Sequence, residues 1–125
     1  MSKNSISTNE ELHKGDYLLS NNGNYKAVFQ NDGNFIIYQW APKWATDTND
    51  DGGNRVIMQD DGNLAIYTDA NKVVWDNKIH QPQDQMMRLT LTDDGRLVVT
   101  RSGVKIWSKT GGQENHTGTG PLFDT

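Results

Sequence analysis

Cysteine is absent from the 125-residue chain, which removes disulfide frameworks, thiol nucleophiles and cysteine-based zinc sites together. Helix formers are scarce, with five alanines, three glutamates and eight leucines. The longest apolar run is four residues, at 35–38, far short of the roughly 20 that carry a helix across a bilayer. Residues 1–11 are polar, without the apolar stretch of a signal peptide, so the expectation is cytoplasmic residence or export by a route that no cleavable signal encodes. Positive charge is also short. Twelve Lys and Arg against 16 Asp and Glu leave a net charge of −4, which repels phosphate backbones and anionic lipid, so neither nucleic-acid binding nor membrane insertion is expected. The three histidines, His13, His80 and His116, lie far apart without paired ligand spacing, which leaves zinc and a Ser-His-Asp triad without support.

Turn residues are plentiful instead: 13 Asp, 13 Asn and 12 Gly. These types tolerate left-handed backbone or bond to their own backbone, and together with the scarcity of helix formers they point to an all-β chain of many short strands. Strands are expected at 17–20, 25–30, 34–40, 55–59, 63–68, 72–75, 88–92, 96–100 and 104–107, separated by turn signals. Length and the 34% hydrophobic content support one domain with a modest core. That domain is expected over 1–110, followed by a Gly-rich arm or tail at 111–125 (GGQENHTGTGPLFDT), in which Leu122 and Phe123 lie beyond a flexible stretch.

Internal repetition organises the chain. Segments 30–38 (QNDGNFIIY), 59–67 (QDDGNLAIY) and 92–100 (TDDGRLVVT) start 29 and then 33 residues apart, each with Asp-Gly in a two-residue hairpin position followed by a strand. Trp44, Trp75 and Trp107 follow at offsets of 14, 16 and 15. Three such units imply pseudo-threefold symmetry with the indoles meeting near the axis, because one small sheet cannot bury its apolar face alone. A β-trefoil also has three units, but its repeats are longer than these. Alternation places Phe35 and Ile37, Leu64 and Ile66, and Leu97 and Val99 on a core face. The opposite face carries Asn34, Ile36 and Tyr38, then Asn63, Ala65 and Tyr67, then Arg96, Val98 and Thr100.

Gln, Asp, Asn and Tyr at offsets 0, 2, 4 and 8 occur twice, where composition alone predicts ~0.002 occurrences. Duplication of a fold unit is the plain reading, with Asp and Gly making the turn and Gln and Tyr covering the sheet. A saccharide site is the sharper one. A pyranose presents several hydroxyls, each donor and acceptor, around a weakly apolar ring, and needs carboxylate, carboxamide and phenol groups fixed on a rigid scaffold. A hairpin brings Gln30 and Asp32 beside Asn34, Ile36 and Tyr38, and Gln59 and Asp61 beside Asn63, Ala65 and Tyr67.

These residues resemble the QxDxNxVxY mannose motif of the monocot bulb, or snowdrop-type B-type, lectins. The resemblance covers about residues 12–107. The Cys-free form and the stretch KGDYLLSNNGNYKAVFQNDGNFIIY look closest to the lily-type, pufflectin-like lectins of fish skin mucus. The resemblance implies a β-prism II fold, three four-stranded antiparallel sheets about a pseudo-threefold axis, with mannose sites on the sheets. It implies that Asp32 and Asn34 recognise the axial 2-hydroxyl, Gln30 the 3-hydroxyl, Tyr38 the 4-hydroxyl and Ile36 the ring carbons. Asp61, Asn63, Gln59, Tyr67 and Ala65 repeat those roles, with a smaller apolar contact at Ala65. The third unit keeps only Asp94 and Val98; Thr92, Arg96 and Thr100 replace Gln, Asn and Tyr, so it is not expected to bind mannose in the usual way. The plant members usually have a disulfide whose first cysteine follows the motif Asp; Gly33 stands there, so that clamp is missing.

The resemblance further implies a homodimer or homotetramer, often exchanging a C-terminal strand, an extracellular mucus location, and a role in innate defence or agglutination through mannose-containing glycans. No cofactor is expected. Asp47, Asn49, Asp51 and Gly52 mimic the opening of a calcium loop, but Met58 stands where the closing carboxylate belongs. Glycoside hydrolysis needs a carboxyl held protonated by burial; the aspartates sit mostly in turns, and Glu10, Glu11 and Glu114 lie near the ends, so no enzyme is expected. The sequon at Asn115, His116 and Thr117 matters only on a secretory route. The alternative function is a protein-interaction or protease-inhibitory module with idle sugar sites.

Overall fold

The computed structural model describes residues 3–83 and 85–110. Among these described residues twelve strands run in chain order: β1 Ser5–Ser7, β2 Glu11–His13, β3 Tyr17–Leu19, β4 Lys26–Phe29, β5 Phe35–Tyr38, β6 Pro42–Ala45, β7 Gly53–Met58, β8 Leu64–Thr68, β9 Val73–Asp76, β10 Met87–Leu91, β11 Arg96–Arg101 and β12 Val104–Thr110. They form three four-stranded sheets, β3-β4-β5-β6, β2-β7-β8-β9 and β1-β10-β11-β12, with every neighbouring pair antiparallel. This is the β-prism II arrangement that the resemblance implied. The first sheet is contiguous in sequence, whereas the second and third each take an outer strand from the N-terminal segment.

Alternation sets which side chains meet at the centre. Phe35, Ile37, Leu64, Ile66, Leu97 and Val99 are fully buried, in the phase expected from a period of two. Ile6, Leu12 and Leu18 repeat one inward residue on each outer strand. The indole rings meet edge to face: Trp44 and Trp75 lie 5.8 Å apart, and Trp75 and Trp107 6.3 Å apart. Each sheet therefore contributes one ring, with Trp75 touching both of the others, a geometry that aligns the positive edge of one ring with the negative face of the next.

Two expectations change. Strands β1, β2 and β6 were not among the nine expected, because two of them are three residues long with one inward side chain, and the other starts at Pro42, where the chain lacks a ladder donor. The repeated turn has three residues, not two. Gln30 N–H donates to Asn34 O at 2.9 Å and Gly33 N–H to Gln30 O at 3.0 Å; Gln59, Gly62 and Asn63 repeat this pair of bonds, as do Thr92, Gly95 and Arg96. Asn31 and Asp32 thus occupy a tight turn that Gly33 closes at φ +87°, matched by Gly62 at +81° and Gly95 at +83°. A left-handed third residue is what lets a three-residue loop rejoin the ladder. A bulge follows at one position in all three sheets, after Ile37, Ile66 and Val99, where it bends the strand just at Tyr38, Tyr67 and Thr100. The expected arm at 111–125, with Leu122, Phe123, Glu114 and His116, lies outside the described residues.

Candidate carbohydrate-binding site

Each sheet shows one cross-strand row on its outer face, because antiparallel partners project to the same side. On the first sheet the row is Tyr17, Val28, Ile36 and Ala45. On the second it is Glu11, Ile57, Ala65 and Asp76. On the third it is Ser5, Thr90, Val98 and Ser108. The row is apolar on the first sheet, flanked by carboxylates on the second and small on the third.

The first cradle sits above its row. Asn34 N–H donates to Asp32 Oδ1 at 3.0 Å, which pins the carboxylate beside the strand start. Gln30 Nε2 donates to the Tyr38 phenol oxygen at 2.6 Å. A hollow of about 470 Å³ lined by Gly15, Val28, Gln30, Asn31 and Asp32 opens beside them. The loop after β6 braces this turn: Asp50 N–H donates to Asp32 O at 2.7 Å, and Thr48 Oγ1 donates to Gly33 O at 2.7 Å. Four of the five expected residues are thereby linked in two hydrogen-bonded pairs, and Ile36 lies beneath them, keeping 8% of its surface.

The second cradle repeats the same two bonds. Asn63 N–H donates to Asp61 Oδ1 at 2.9 Å, and Gln59 Nε2 to the Tyr67 oxygen at 2.9 Å. Gln81 N–H braces the turn at Asp61 O, 2.8 Å. Ala65 is fully buried, so the apolar contact that Ile36 offers in the first cradle is missing here. The Arg55 guanidinium lies over the Tyr67 ring, 5.2 Å from its centroid.

The two asparagines are turned in opposite senses. Thr48 N–H, which can only donate, reaches Asn34 Oδ1 at 3.3 Å, and Thr46 Oγ1 lies on the same oxygen at 3.1 Å. The Asn34 amino group is left without a partner among the described residues. On the second sheet Asn77 Oδ1 accepts from Leu64 N–H and Ile79 N–H, so it must be the acceptor for Asn63 Nδ2 at 3.2 Å. Asn63 Nδ2 also donates to Asp76 Oδ2 at 2.9 Å. Both amide protons of Asn63 are therefore spent inside the protein.

Charge differs as well. Asp76 pairs with Lys78 at 3.3 Å and Asp61 with His80 at 3.6 Å. Burial pushes the Asp76 carboxyl up, but the Asn63 amide and the Lys78 ammonium outweigh it, holding it below the usual carboxylate range. On the third sheet Asp94 accepts from the Thr92 hydroxyl and pairs with Arg96 at 3.2 Å. The hydroxyl bond, with help from Arg96 against partial burial, lowers its pKa. That carboxylate is occupied by its own neighbours.

The sequence reading missed Thr46, Thr48, Asp76, Asn77 and Lys78, and did not place His80 at the site. The signal was present: Ala45 and Asp76 each directly follow a repeat tryptophan, so they occupy one register position beside Ile36 and Ala65.

A three-sheet prism carrying this repeated polar cradle defines a carbohydrate-binding lectin of bulb-type architecture. No protein-family model matches the chain. It is 45% identical over 105 residues to the B-type lectin plumieribetin of Scorpaena plumieri, a match covering 84% of this chain and 93% of that one. Among solved structures it is similar to a monomeric monocot mannose-binding lectin from Gastrodia elata, with a TM-score of 0.77, 30% identity, and 85% and 96% of the two chains covered. It is similar also to the mannose-specific agglutinin of snowdrop bulbs, Galanthus nivalis, complexed with methyl-α-D-mannoside, at TM-score 0.72 and 29% identity over 95% and 99%. Polygonatum cyrtonema lectin complexed with monomannoside gives 0.70 and 32% over 94% and 98%. The chain belongs to the B-type lectin family.

Proposed function

We propose that this lectin binds mannose-containing glycans through the first and second cradles, without catalysis, metal or cofactor. The observation that carries the reading is the repeated geometry: one Gln amide on one Tyr phenol, and one Asp carboxylate pinned by one Asn N–H, on two different sheets. The mannoside complexes of the snowdrop and Polygonatum relatives support it. Asp32 and Asn34 receive the axial 2-hydroxyl, Gln30 the 3-hydroxyl and Tyr38 the 4-hydroxyl, with Ile36 beneath the ring. Asp61, Gln59 and Tyr67 offer the corresponding groups on the second sheet, where Asn63 has only its carbonyl oxygen left to offer. The third cradle is idle, since Thr92, Arg96 and Thr100 stand where the other two carry Gln, Asn and Tyr.

An exposed site for a single sugar binds in the millimolar range, about −4 kcal/mol, so avidity on a cell or particle comes from several cradles held together. A homodimer or homotetramer supplies them, and the role that fits such multivalent binding is agglutination in defence, at an extracellular, mucosal surface.

Retention on mannose–agarose in the presence of a chelator, with elution by methyl α-mannoside, tests the proposal. Asp32→Ala combined with Asp61→Ala is expected to pass through unretained. Equal retention of the double variant and the wild type overturns the site assignment, and passage of folded wild type through the resin returns the fold to a protein-interaction role.

A further inference from the structure

The two cradles are built from the same four residue types yet offer opposite chemistry at one pole. In the first, Asp32 accepts, and the Asn34 amino group, without a partner among the described residues, is left to donate. A hydroxyl has one proton to give and two lone pairs to receive, so it satisfies both. In the second, the Asn63 amide protons are committed to Asp76 and Asn77. Asp61 Oδ2, Asn63 Oδ1 and the Asp76 carboxylate are all acceptors, and one hydroxyl proton cannot serve them.

The chain's own side chains show what that pole attracts. Lys78 Nζ lies 3.3 Å from Asp76 Oδ1 with 87% of its side chain exposed, and His80 Nδ1 lies 3.6 Å from Asp61 Oδ2 with 69% exposed. Exposed pairs of this kind are weak and readily exchanged. Asp76 itself is only 12% exposed and cannot leave. The first cradle has Ala45 at this position, opposite Ile36, where the second has Asp76 opposite Ala65. An apolar pair has been exchanged for a small residue and a carboxylate.

We infer that Asp76 sets the specificity of the second cradle, turning it from a neutral hexose with a 2-hydroxyl toward a hexose with a 2-ammonium group, a 2-amino-2-deoxy sugar. An ammonium brings three donors to a pole of acceptors and displaces Lys78 from Asp76. This rests on the reading of the cradles as hexose sites, and concerns only how the second differs from the first. Gln59 and Tyr67 keep their places toward the rest of the ring.

Amide NMR resolves the two cradles, since Asn34 and Asn63 each donate a backbone N–H to the site aspartate. Methyl α-mannoside, mannosamine at about pH 6, where an amine is protonated, and uncharged N-acetylmannosamine are titrated in turn. Mannosamine is expected to shift the Asn63 amide at a midpoint about tenfold below that of methyl mannoside, as a charge-assisted bond to a carboxylate gives. Methyl mannoside shifts the Asn34 amide first, and N-acetylmannosamine has no preference for Asn63. Asp76→Asn keeps the shape, removes the charge and raises the mannosamine midpoint about tenfold; Lys78→Ala removes the competitor and lowers it.

Equal midpoints for methyl mannoside at Asn34 and Asn63, or an unchanged mannosamine midpoint in Asp76→Asn together with Lys78→Ala, overturns the inference and leaves the mannose reading standing. Mannosamine shifting Asn63 while mannoside shifts neither amide upholds the inference and overturns the mannose reading. No shift with any of the sugars overturns both.

Discussion

The Gln30 Nε2 amide donates to the Tyr38 phenol oxygen at 2.6 Å, which fills an acceptor position on that oxygen and leaves the phenol proton free to be given outward. Tyr38 therefore acts as a donor toward a ligand, and Gln30 keeps its carbonyl oxygen for a second hydroxyl. Tyr38→Phe removes the donor without stranding a buried group, since both side chains are half-buried. Calorimetry with mannose is expected to show affinity at the first cradle falling roughly tenfold, about 1.4 kcal/mol, with the unfolding midpoint nearly unchanged. Undiminished affinity would remove Tyr38 from the site.

Thr46 links the fold to the cradle. Its hydroxyl oxygen accepts from Phe35 N–H at 3.1 Å and lies 3.1 Å from Asn34 Oδ1, in a buried network with Thr48. Thr46→Val keeps the volume and leaves the Phe35 N–H unsatisfied. Urea unfolding is expected to report a loss of about 1–3 kcal/mol. Sugar affinity at the first cradle falls with it, because Asn34 loses the contact that orients its amide, while the second cradle is unaffected. Wild-type stability in the variant would mean that water replaces the hydroxyl.

Much of this was legible from residues. The core face over Phe35, Ile37, Leu64, Ile66, Leu97 and Val99 follows from a period of two, and the tryptophan cluster from one indole per repeat at a nearly constant offset. Strands β1 and β2 were not legible, because Ile6 and Leu12 stand alone in polar surroundings and pair with β10 and β7, far along the chain. The turn was read one residue short, because Asp-Gly marks a two-residue hairpin as readily as the end of a three-residue one. The repeat put Gln and Tyr on one site, but the bond between them came from the coordinates. The opposite senses of Asn34 and Asn63 needed coordinates, since they depend on backbone donors at Thr48, Leu64 and Ile79.

Trp75 stands between the other two rings, edge to face with Trp44 at 5.8 Å and with Trp107 at 6.3 Å. Trp75→Ala therefore opens the junction of all three sheets at once. A loss of about 2 kcal/mol is expected in denaturant unfolding, less than for a fully buried ring because Trp75 is partly buried, and thermal unfolding should begin below that of the wild type. A double-mutant cycle between Trp44 and Trp75 is expected to give a coupling of about 0.5–1.5 kcal/mol beyond area burial. Additive single losses would show that the rings merely fill space.

Acid acts on both stability and the second cradle through Asp76. Its folded pKa is depressed: burial raises it, but the Asn63 amide, Lys78 and His80 lower it further than burial lifts it. A carboxyl with a depressed folded pKa stabilises the native state above its ordinary value, 3.8 here, and that contribution is lost as pH falls through the lower folded value. Glu10, held down first by the Ser7 N–H and then by Lys3, and Asp94, held down first by the Thr92 hydroxyl, act in the same direction. Urea midpoints are thus expected to be flat from neutral pH to mildly acidic pH and to fall once the medium drops below the ordinary carboxylate range. Asp76→Asn should shallow that fall, because an amide cannot take up the proton, and should weaken binding of an ammonium sugar at neutral pH where the fold is intact. An acid limb of unchanged slope in Asp76→Asn would place the proton uptake on other carboxylates and detach Asp76 from the pH dependence of the fold.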